Sequence, residues 1–214
     1  MLDHAGPKAF VELAGKSLLR RAADNAAAAD RVDSIVVAVS AGSEHRASSD
    51  LQGLSKPVRV VAGGPTRQAS AAAALDAAPE TEAFAVHDAA RALCLPLLFD
   101  STLLALNDWE AVCPVIPVSD TIKEVSESGV VVSTLDRSKL VAVQTPQAIR
   151  ADLYRRAQAD AAAAGFVGTD DVSLVERMGV DVHVIDGDAT NLKVTTKHDL
   201  LVAASMLQHT PERE

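Results

Sequence analysis

Short β-branched apolar runs alternate with longer Ala- and Leu-rich stretches along this chain. Residues 34–39 (Ser-Ile-Val-Val-Ala-Val) form a continuous apolar run, short enough for a strand buried on both faces. Residues 58–61, 84–87 and 111–118 read the same way, and 182–185 and 191–194 are later strand candidates. Between them the pattern predicts helices over 17–29, 67–77, 96–107, 151–164, 170–178 and 197–208. Ser17 is the expected N-cap of the first. Pro96 stands at a helix start, where its missing N–H costs little, and Gly165 supplies a C-terminal stop. Strands separated by helices imply crossovers, and hence an α/β fold with a mostly parallel sheet and helices on both faces. Ligands of such sheets bind at the carboxyl ends of the strands. Residues 120–137 break the alternation: Thr-Ile-Lys-Glu-Val, then Ser-Glu-Ser-Gly, then Val-Val-Val-Ser-Thr. That is a β-hairpin with Gly129 at its turn, expected to project from the sheet and to be covered by another subunit.

Composition narrows the class. Of 214 residues, 48% are apolar, but 39 of them are alanine, so the bulky core is smaller than that share suggests. One domain is the better expectation, since no linker or repeat divides the chain. Aromatics are only 3%, too few for a base-stacking platform. The net charge of −9 makes the chain a poor non-specific partner for nucleic acid or an anionic membrane, so neither is expected. An anionic ligand would need a local basic pocket. Cys94 and Cys113 make neither a disulfide framework nor a zinc cage and read as buried reduced thiols. No apolar run approaches the ~20 residues of a membrane span. The N-terminus lacks the basic start and apolar stretch of a signal peptide, so a cytoplasmic protein is expected.

Seven stretches could carry chemistry. Pro7-Lys8-Ala9-Phe10 is the first. Val61-Ala62-Gly63-Gly64-Pro65-Thr66-Arg67 closes a strand and opens a helix, where glycines permit close approach and a helix N-terminus favours anions. A tight turn explains it equally. Val86-His87-Asp88-Ala89-Ala90-Arg91 ends another strand; its Asp and Arg could line a pocket or form an ion pair. Ser119-Asp120-Thr121-Ile122-Lys123 and Asp136-Arg137 lie on the hairpin. Gln144-Thr145-Pro146-Gln147, then Gly168-Thr169-Asp170-Asp171, which capping alone would explain, and Asn191-Leu192-Lys193-Val194-Thr195 complete the set. Together they place Lys8, Arg67, Arg91, Arg137 and Lys193 near strand ends of an acidic chain. Converging cations suggest a polyphosphate or phosphorylated ligand. Neither a P-loop nor a dinucleotide fingerprint is present, and no Ser-His-Asp set can be assembled from spacing. Catalysis would then rest on positioning and charge.

P-K-A-F, V-A-G-G-x-x-R, V-H-D-A-A-R, S-D-T-I-K, Q-T-P-Q, T-D-D-x-S and K-V-T-T-K-x-D-L occur in that order over nearly the whole chain. In this the sequence resembles the 2-C-methyl-D-erythritol 4-phosphate cytidylyltransferases, and its Ala-rich H-D-A-A-R-A form looks like their actinobacterial branch. The resemblance implies a Rossmann-like nucleotidyltransferase domain over 1–214 with a protruding β-hairpin arm at about 119–138. It implies attack of a sugar-alcohol phosphate on the α-phosphorus of CTP, release of pyrophosphate, and Mg²⁺ bound through the CTP phosphates, with no metal ligands from the chain. It implies that Lys8 stabilises charge on the α-phosphate and that Arg137 and Lys193 orient the attacking phosphate. Gly64, Arg67, Ser70, Asp88 and Ala89 would hold CTP. Asp88, Arg91, Thr121, Arg137, Thr145, Thr169 and Lys193 would hold the sugar phosphate. Thr121 and Arg137 would act across a homodimer, because the family's arm reaches into the partner's site.

The sequence departs from the family at its start. Members begin with a strand and an A-A-G-x-G-x-R loop just before the P-K motif, whereas here Met1 stands six residues before Pro7. The chain is therefore expected to be N-terminally incomplete by a strand and loop of roughly 15–20 residues. That strand would be central, so its neighbours are expected to carry unpaired backbone groups. Two alternatives stand beside the main reading: a ribitol 5-phosphate cytidylyltransferase, and a catalytically dead, binding-only homologue lacking the nucleotide loop.

Overall fold

The computed structural model describes residues 8–209; Pro7, which opens the Pro-Lys motif, and the segment before it lie outside them. A 3-10 turn at Lys8–Phe10 leads into a small antiparallel ribbon, β1 (Glu12–Leu13) and β2 (Lys16–Ser17). Helix α1 (Leu18–Ala28) follows at once, its first turn closed by the Ser17 hydroxyl, which accepts the Arg20 N–H at 2.8 Å. Then come β3 (Ile35–Val39), α2 (Glu44–Asp50), β4 (Val58–Ala62), α3 (Arg67–Ala77) and β5 (Ala83–Val86). Thr66 caps α3 by accepting the Ala69 N–H. Helix α4 (Pro96–Leu104) carries Pro96 in its first turn and precedes β6 (Ala111–Pro117). The hairpin is β7 (Lys123–Val125) and β8 (Val131–Thr134), with Gly129 at φ +79° in the turn. The chain ends with β9 (Val141–Val143), β10 (Gln147–Arg150), α5 (Ala151–Ala164), α6 (Val172–Arg177), β11 (His183–Asp186) and α7 (Lys197–His209).

The larger sheet has the order β11-β6-β10-β5, with β9 pairing the end of β6. β6 and β11 run parallel, and β10 runs against both β6 and β5, so β5, β6 and β11 share one direction. The period-2 alternation of this sheet divides the core. Cys113 and Ile149 face Leu153, Tyr154, Leu174 and Val175 of α5 and α6. Val112 and Ala148 face Leu103, Ala105 and Leu106, at the end of α4 and just beyond it. Helices thus cover both faces, as expected of the α/β class. Residues 191–194, predicted as a strand, form none. They are pinned instead by single contacts, Val194 N–H to Ala90 carbonyl at 2.8 Å and Asn191 through its side chain to Thr145 carbonyl at 2.9 Å.

β3 and β4 pair parallel as a separate two-stranded sheet. Among the described residues, neither the β3 edge turned from β4 nor the β5 edge turned from β10 has a strand partner. A cavity of about 580 Å³ lies between them, lined along residues 34–40 on one side and 83–89 on the other. Small side chains wall it: Ala22, Ala23 and Ala26 of α1, and Ala71 and Ala74 of α3. One end of the cavity opens at the strand starts (Arg31, Asp33, Thr81), the other at Lys8, Gly64, Arg67 and Asp88. The second end is where the candidate chemistry collects.

Candidate active site

Asp88 stands two residues beyond the end of β5 and is the hub. Arg67 Nε, from the first turn of α3, reaches one carboxylate oxygen at 3.0 Å, and Lys193 Nζ reaches the other at 2.7 Å. Burial alone would raise the Asp88 pKa, but the hydrogen bond from Lys193 and the charge of Arg67 outweigh it and hold the group down to about 2. The Asp88 N–H donates to Thr145 Oγ1 at 3.1 Å, tying the turn to the segment before β10.

Arg67 has a second carboxylate. Its Nη2 lies 2.6 Å from Asp171, whose side chain is 1% exposed and also accepts the Tyr154 hydroxyl. Burial works against the guanidinium, yet Asp171 first and Asp88 second push its pKa up. The capping role read into this stretch belongs to its neighbour: the Asp170 carboxylate accepts the Ser173 N–H at 3.0 Å, and the Asp171 side chain makes no cap bond. Asp171 is therefore a site-building residue that the sequence presented only as a helix start.

Arg91 closes the turn that Asp88 opens, with its own N–H on the Asp88 carbonyl at 2.8 Å. Its guanidinium donates to the Asn191 carbonyl at 2.7 Å and the Val143 carbonyl at 3.2 Å, and its buried Nε takes no partner among the described residues. Gln144 braces the segment that brings in Lys193: its side chain accepts from Asn191 Nδ2 and the Asp188 N–H and donates to the Asp188 carbonyl. Of the two readings of Asp88 and Arg91, lining a pocket or pairing with each other, Asp88 does line the cavity, and no ion pair between the two is described. Asp88 pairs with Arg67 and Lys193, and Arg91 binds carbonyls.

Lys8 shares the cavity mouth with Gly64, Arg67, Ser70, Asp88 and Ala89. Partial burial, then the charge of Lys193, lowers its pKa. Lys193 itself is bonded to Asp88, a lining residue, and an anion close to both ammonium groups would relieve their repulsion. Gly63 and Gly64 are required by packing: a Cβ on Gly63 would stand 2.7 Å from Ser70 Oγ, and one on Gly64 would run into Ala69. The Ser70 hydroxyl donates to the Thr66 carbonyl at 2.9 Å, holding this loop against α3.

Other predicted residues stand apart. Thr145 is 4% exposed and its hydroxyl is engaged by Asp88 and His87, so its contribution is internal. Thr169 is exposed beside the loop, where Gln68 of α3 accepts the Gly168 N–H at 3.0 Å. Thr121 and Arg137 sit on the arm, both exposed, with Arg137 donating to the Ser119 carbonyl at 2.6 Å. No described contact joins either to Asp88 within the chain. The arm also exposes Val125, Val130, Val131 and Val132.

Residues 2–209 match the family model described as IspD: 2-C-methyl-D-erythritol 4-phosphate cytidylyltransferase. The chain belongs to that family. A protein of that name from Nocardia farcinica is 45% identical over 207 residues, covering 96% of this chain and 88% of its own. Among solved structures, the enzyme of that name from Thermus thermophilus aligns with a TM-score of 0.82 at 32% identity, covering 95% of each chain. The 4-diphosphocytidyl-2C-methyl-D-erythritol synthase from Anaerococcus prevotii gives a TM-score of 0.86 at 30% identity, over 92% of this chain and 88% of that one. The family confirms the α/β, Rossmann-like class and a nucleotidyltransferase reaction.

Proposed function

We propose that this chain catalyses the family's reaction: 2-C-methyl-D-erythritol 4-phosphate and CTP give 4-(cytidine 5'-diphospho)-2-C-methyl-D-erythritol and pyrophosphate, a step of isoprenoid precursor biosynthesis. A phosphate oxygen of the sugar alcohol attacks the α-phosphorus of CTP, the bond to the β-phosphate oxygen breaks, and pyrophosphate leaves. The observation that carries the reading, beside family membership, is the cation cluster at the cavity mouth. Lys8, Arg67 and Asp88 line it, and Lys193 reaches the Asp88 carboxylate, held near pKa 2, at 2.7 Å. A carboxylate so acidic is a poor proton acceptor, and an ionised phosphate nucleophile needs none. The rate then comes from alignment and from charge aimed at the α-phosphate.

In this reading Lys8 meets the developing charge on the α-phosphate, and Lys193 shares its ammonium between Asp88 and the attacking phosphate. Gly64, Ser70, Asp88 and Ala89 form the nucleotide wall at the cavity mouth. Arg67, held by Asp88 and Asp171, fixes that wall. Arg91, with one buried donor to spare, serves the sugar phosphate, and Thr145 acts by holding Asp88. Thr169 completes the rim. Thr121 and Arg137 act on the partner's site in a homodimer, a reading supported by the row of exposed valines on the arm. Among the described residues no group of three His, Cys, Asp or Glu could cage a metal, and Asp88 and Asp171 are committed to Arg67 and Lys193. In this reading Mg²⁺ is bound through the CTP phosphates and would offset their charge. No described helix is long and apolar enough to cross a membrane. The cytoplasm suits the two unpaired buried thiols, Cys94 and Cys113. Ribitol 5-phosphate is the less favoured substrate, since the family and the relatives carry the methylerythritol name. With both sugar phosphates competing for limiting CTP, methylerythritol phosphate is expected to be consumed first; preferential loss of ribitol 5-phosphate would reverse the assignment.

A further inference from the structure

His87 stands between β5 and the Asp88 turn, and its two ring nitrogens touch two different parts of the site. Nδ1 lies 3.1 Å from Thr145 Oγ1, and Nε2 lies 3.3 Å from the Arg91 carbonyl oxygen. The ring packs on Phe99 with centroids 4.8 Å apart. The Arg91 and Thr145 carbonyls both act on the ring, a neutral imidazole has one proton, and the contact of Nε2 with the Arg91 carbonyl takes it. A carbonyl can only accept, so Nε2 carries the proton. Nδ1 of a neutral ring is then an acceptor, so the Thr145 hydroxyl must donate to it. The same hydroxyl oxygen accepts the Asp88 N–H at 3.1 Å. The Arg91 carbonyl takes a second bond from the Cys94 N–H at 3.1 Å, so both its lone pairs are used. Desolvation among these neighbours lowers the imidazole pKa to about 4, so the ring is neutral at ordinary pH.

We infer that His87 is a positioning residue for the transfer: its imidazole, as the Nε2–H tautomer, joins the Thr145 hydroxyl to the Arg91 carbonyl and so clamps both ends of the turn that presents Asp88 and Arg91. The inference rests on the proposed function, because it assigns to that turn the contacts with both substrates. The turn has only one internal hydrogen bond of its own, from Arg91 N–H to the Asp88 carbonyl. Lys193 depends on the same clamp, since its partner Asp88 is held through Thr145. No titration or proton transfer by His87 enters; its part is geometric, and each end of the ring does a separable job.

Three substitutions separate those jobs. His87→Asn keeps an acceptor near the Nδ1 position, His87→Gln keeps a donor near the Nε2 position, and His87→Phe keeps the ring against Phe99 while losing both. In a steady-state assay with CTP and methylerythritol phosphate, His87→Phe is expected to lose at least tenfold in kcat/KM, with Asn and Gln each recovering part of it. The double variant His87→Phe/Thr145→Val is expected to be no worse than His87→Phe alone, because one clamp is broken once. A folded His87→Phe enzyme with parental kcat/KM, or strictly additive losses in the double variant, overturns the inference. Should the Phe variant not fold, ¹⁵N imidazole NMR on the unmodified chain decides instead. At pH 8 Nδ1 is expected unprotonated and Nε2 protonated; an Nδ1–H tautomer overturns it. If the unmodified chain forms no product, it is the proposed function that fails, while the NMR result still reports on the clamp.

Discussion

The Asp88 carboxylate has Arg67 on one oxygen and Lys193 on the other, and those contacts decide its protonation. Its folded pKa is depressed, so its contribution to stability is complete above the ordinary carboxylate value near 4 and is lost as pH falls towards 2. A depression of this size corresponds to roughly 2 kcal/mol. Asp88→Asn is expected to unfold at lower urea than the parent at pH 7, with the difference shrinking between pH 4 and pH 2; a pH-independent difference would contradict the pairing. Lys8→Ala is expected to cut kcat by about a hundredfold or more with a near-parental melting temperature, because the ammonium is aimed at charge that develops during transfer. An unchanged kcat removes Lys8 from the mechanism. Arg67 and Asp88 were legible in the sequence because they follow β4 and β5, where a parallel sheet gathers its ligands, whereas Lys8, in a 3-10 turn, and Lys193, in a segment without strand structure, were legible only as cations within motifs. Asp171 was not, because an Asp before an apolar run is sufficiently explained by capping. His87 was not, because a lone His carries no information about which atoms its two nitrogens will meet.

At the scale of elements, helices with a clear apolar face or a cap were readable. The predicted 67–77 and 151–164 coincide with α3 and α5, the second ending at Gly165 with φ +62°. Helix α2 was invisible: its sequence is Glu-His-Arg-Ala-Ser-Ser-Asp, with only Ala47 buried, so no apolar period marks it. Strand β10 was hidden because it runs into α5 with no turn residue between, Arg150 being at once its last residue and the helix N-cap. The 191–194 run looked like a strand for its apolar Leu192 and Val194, but no sheet edge takes it, and it serves as the tether for Lys193. The hairpin was legible from two short β-branched runs around Gly129, and it supports a test of action in trans. Arg137→Ala and Lys193→Ala are each expected to be inactive. Mixed and allowed to exchange subunits, they are expected to regain part of the parental rate, since one site of each heterodimer would be intact. A verified heterodimer without recovered activity would confine the site to one chain.

Over the whole molecule, the separation of β3–β4 from the larger sheet has a residue-level consequence. Ile35 donates to Pro57 and Gly63 to Val39, so alternation turns the odd-numbered N–H groups of β3 to β4 and those of Val36 and Ala38 to the cavity. On β5, the Ala151 N–H bonds the Glu82 carbonyl, and the antiparallel register turns the Ala85 N–H to the same space. Hydrogen exchange is expected to be faster at Val36, Ala38 and Ala85 than at Val37 and Phe84; uniform protection would mean that these edges are paired. The strands' order of appearance was legible, while the split was expected only from the resemblance, because periodicity does not say which strands are neighbours. The activity that all of these residues serve is cytidylyl transfer to methylerythritol phosphate. Its most direct measurement is ³¹P NMR of the chain with CTP, Mg²⁺ and 2-C-methyl-D-erythritol 4-phosphate. The substrate phosphate resonance is expected to be lost with equimolar growth of a diphosphodiester and pyrophosphate. CTP that stays intact, or that releases pyrophosphate at the same rate without the sugar phosphate, would contradict it.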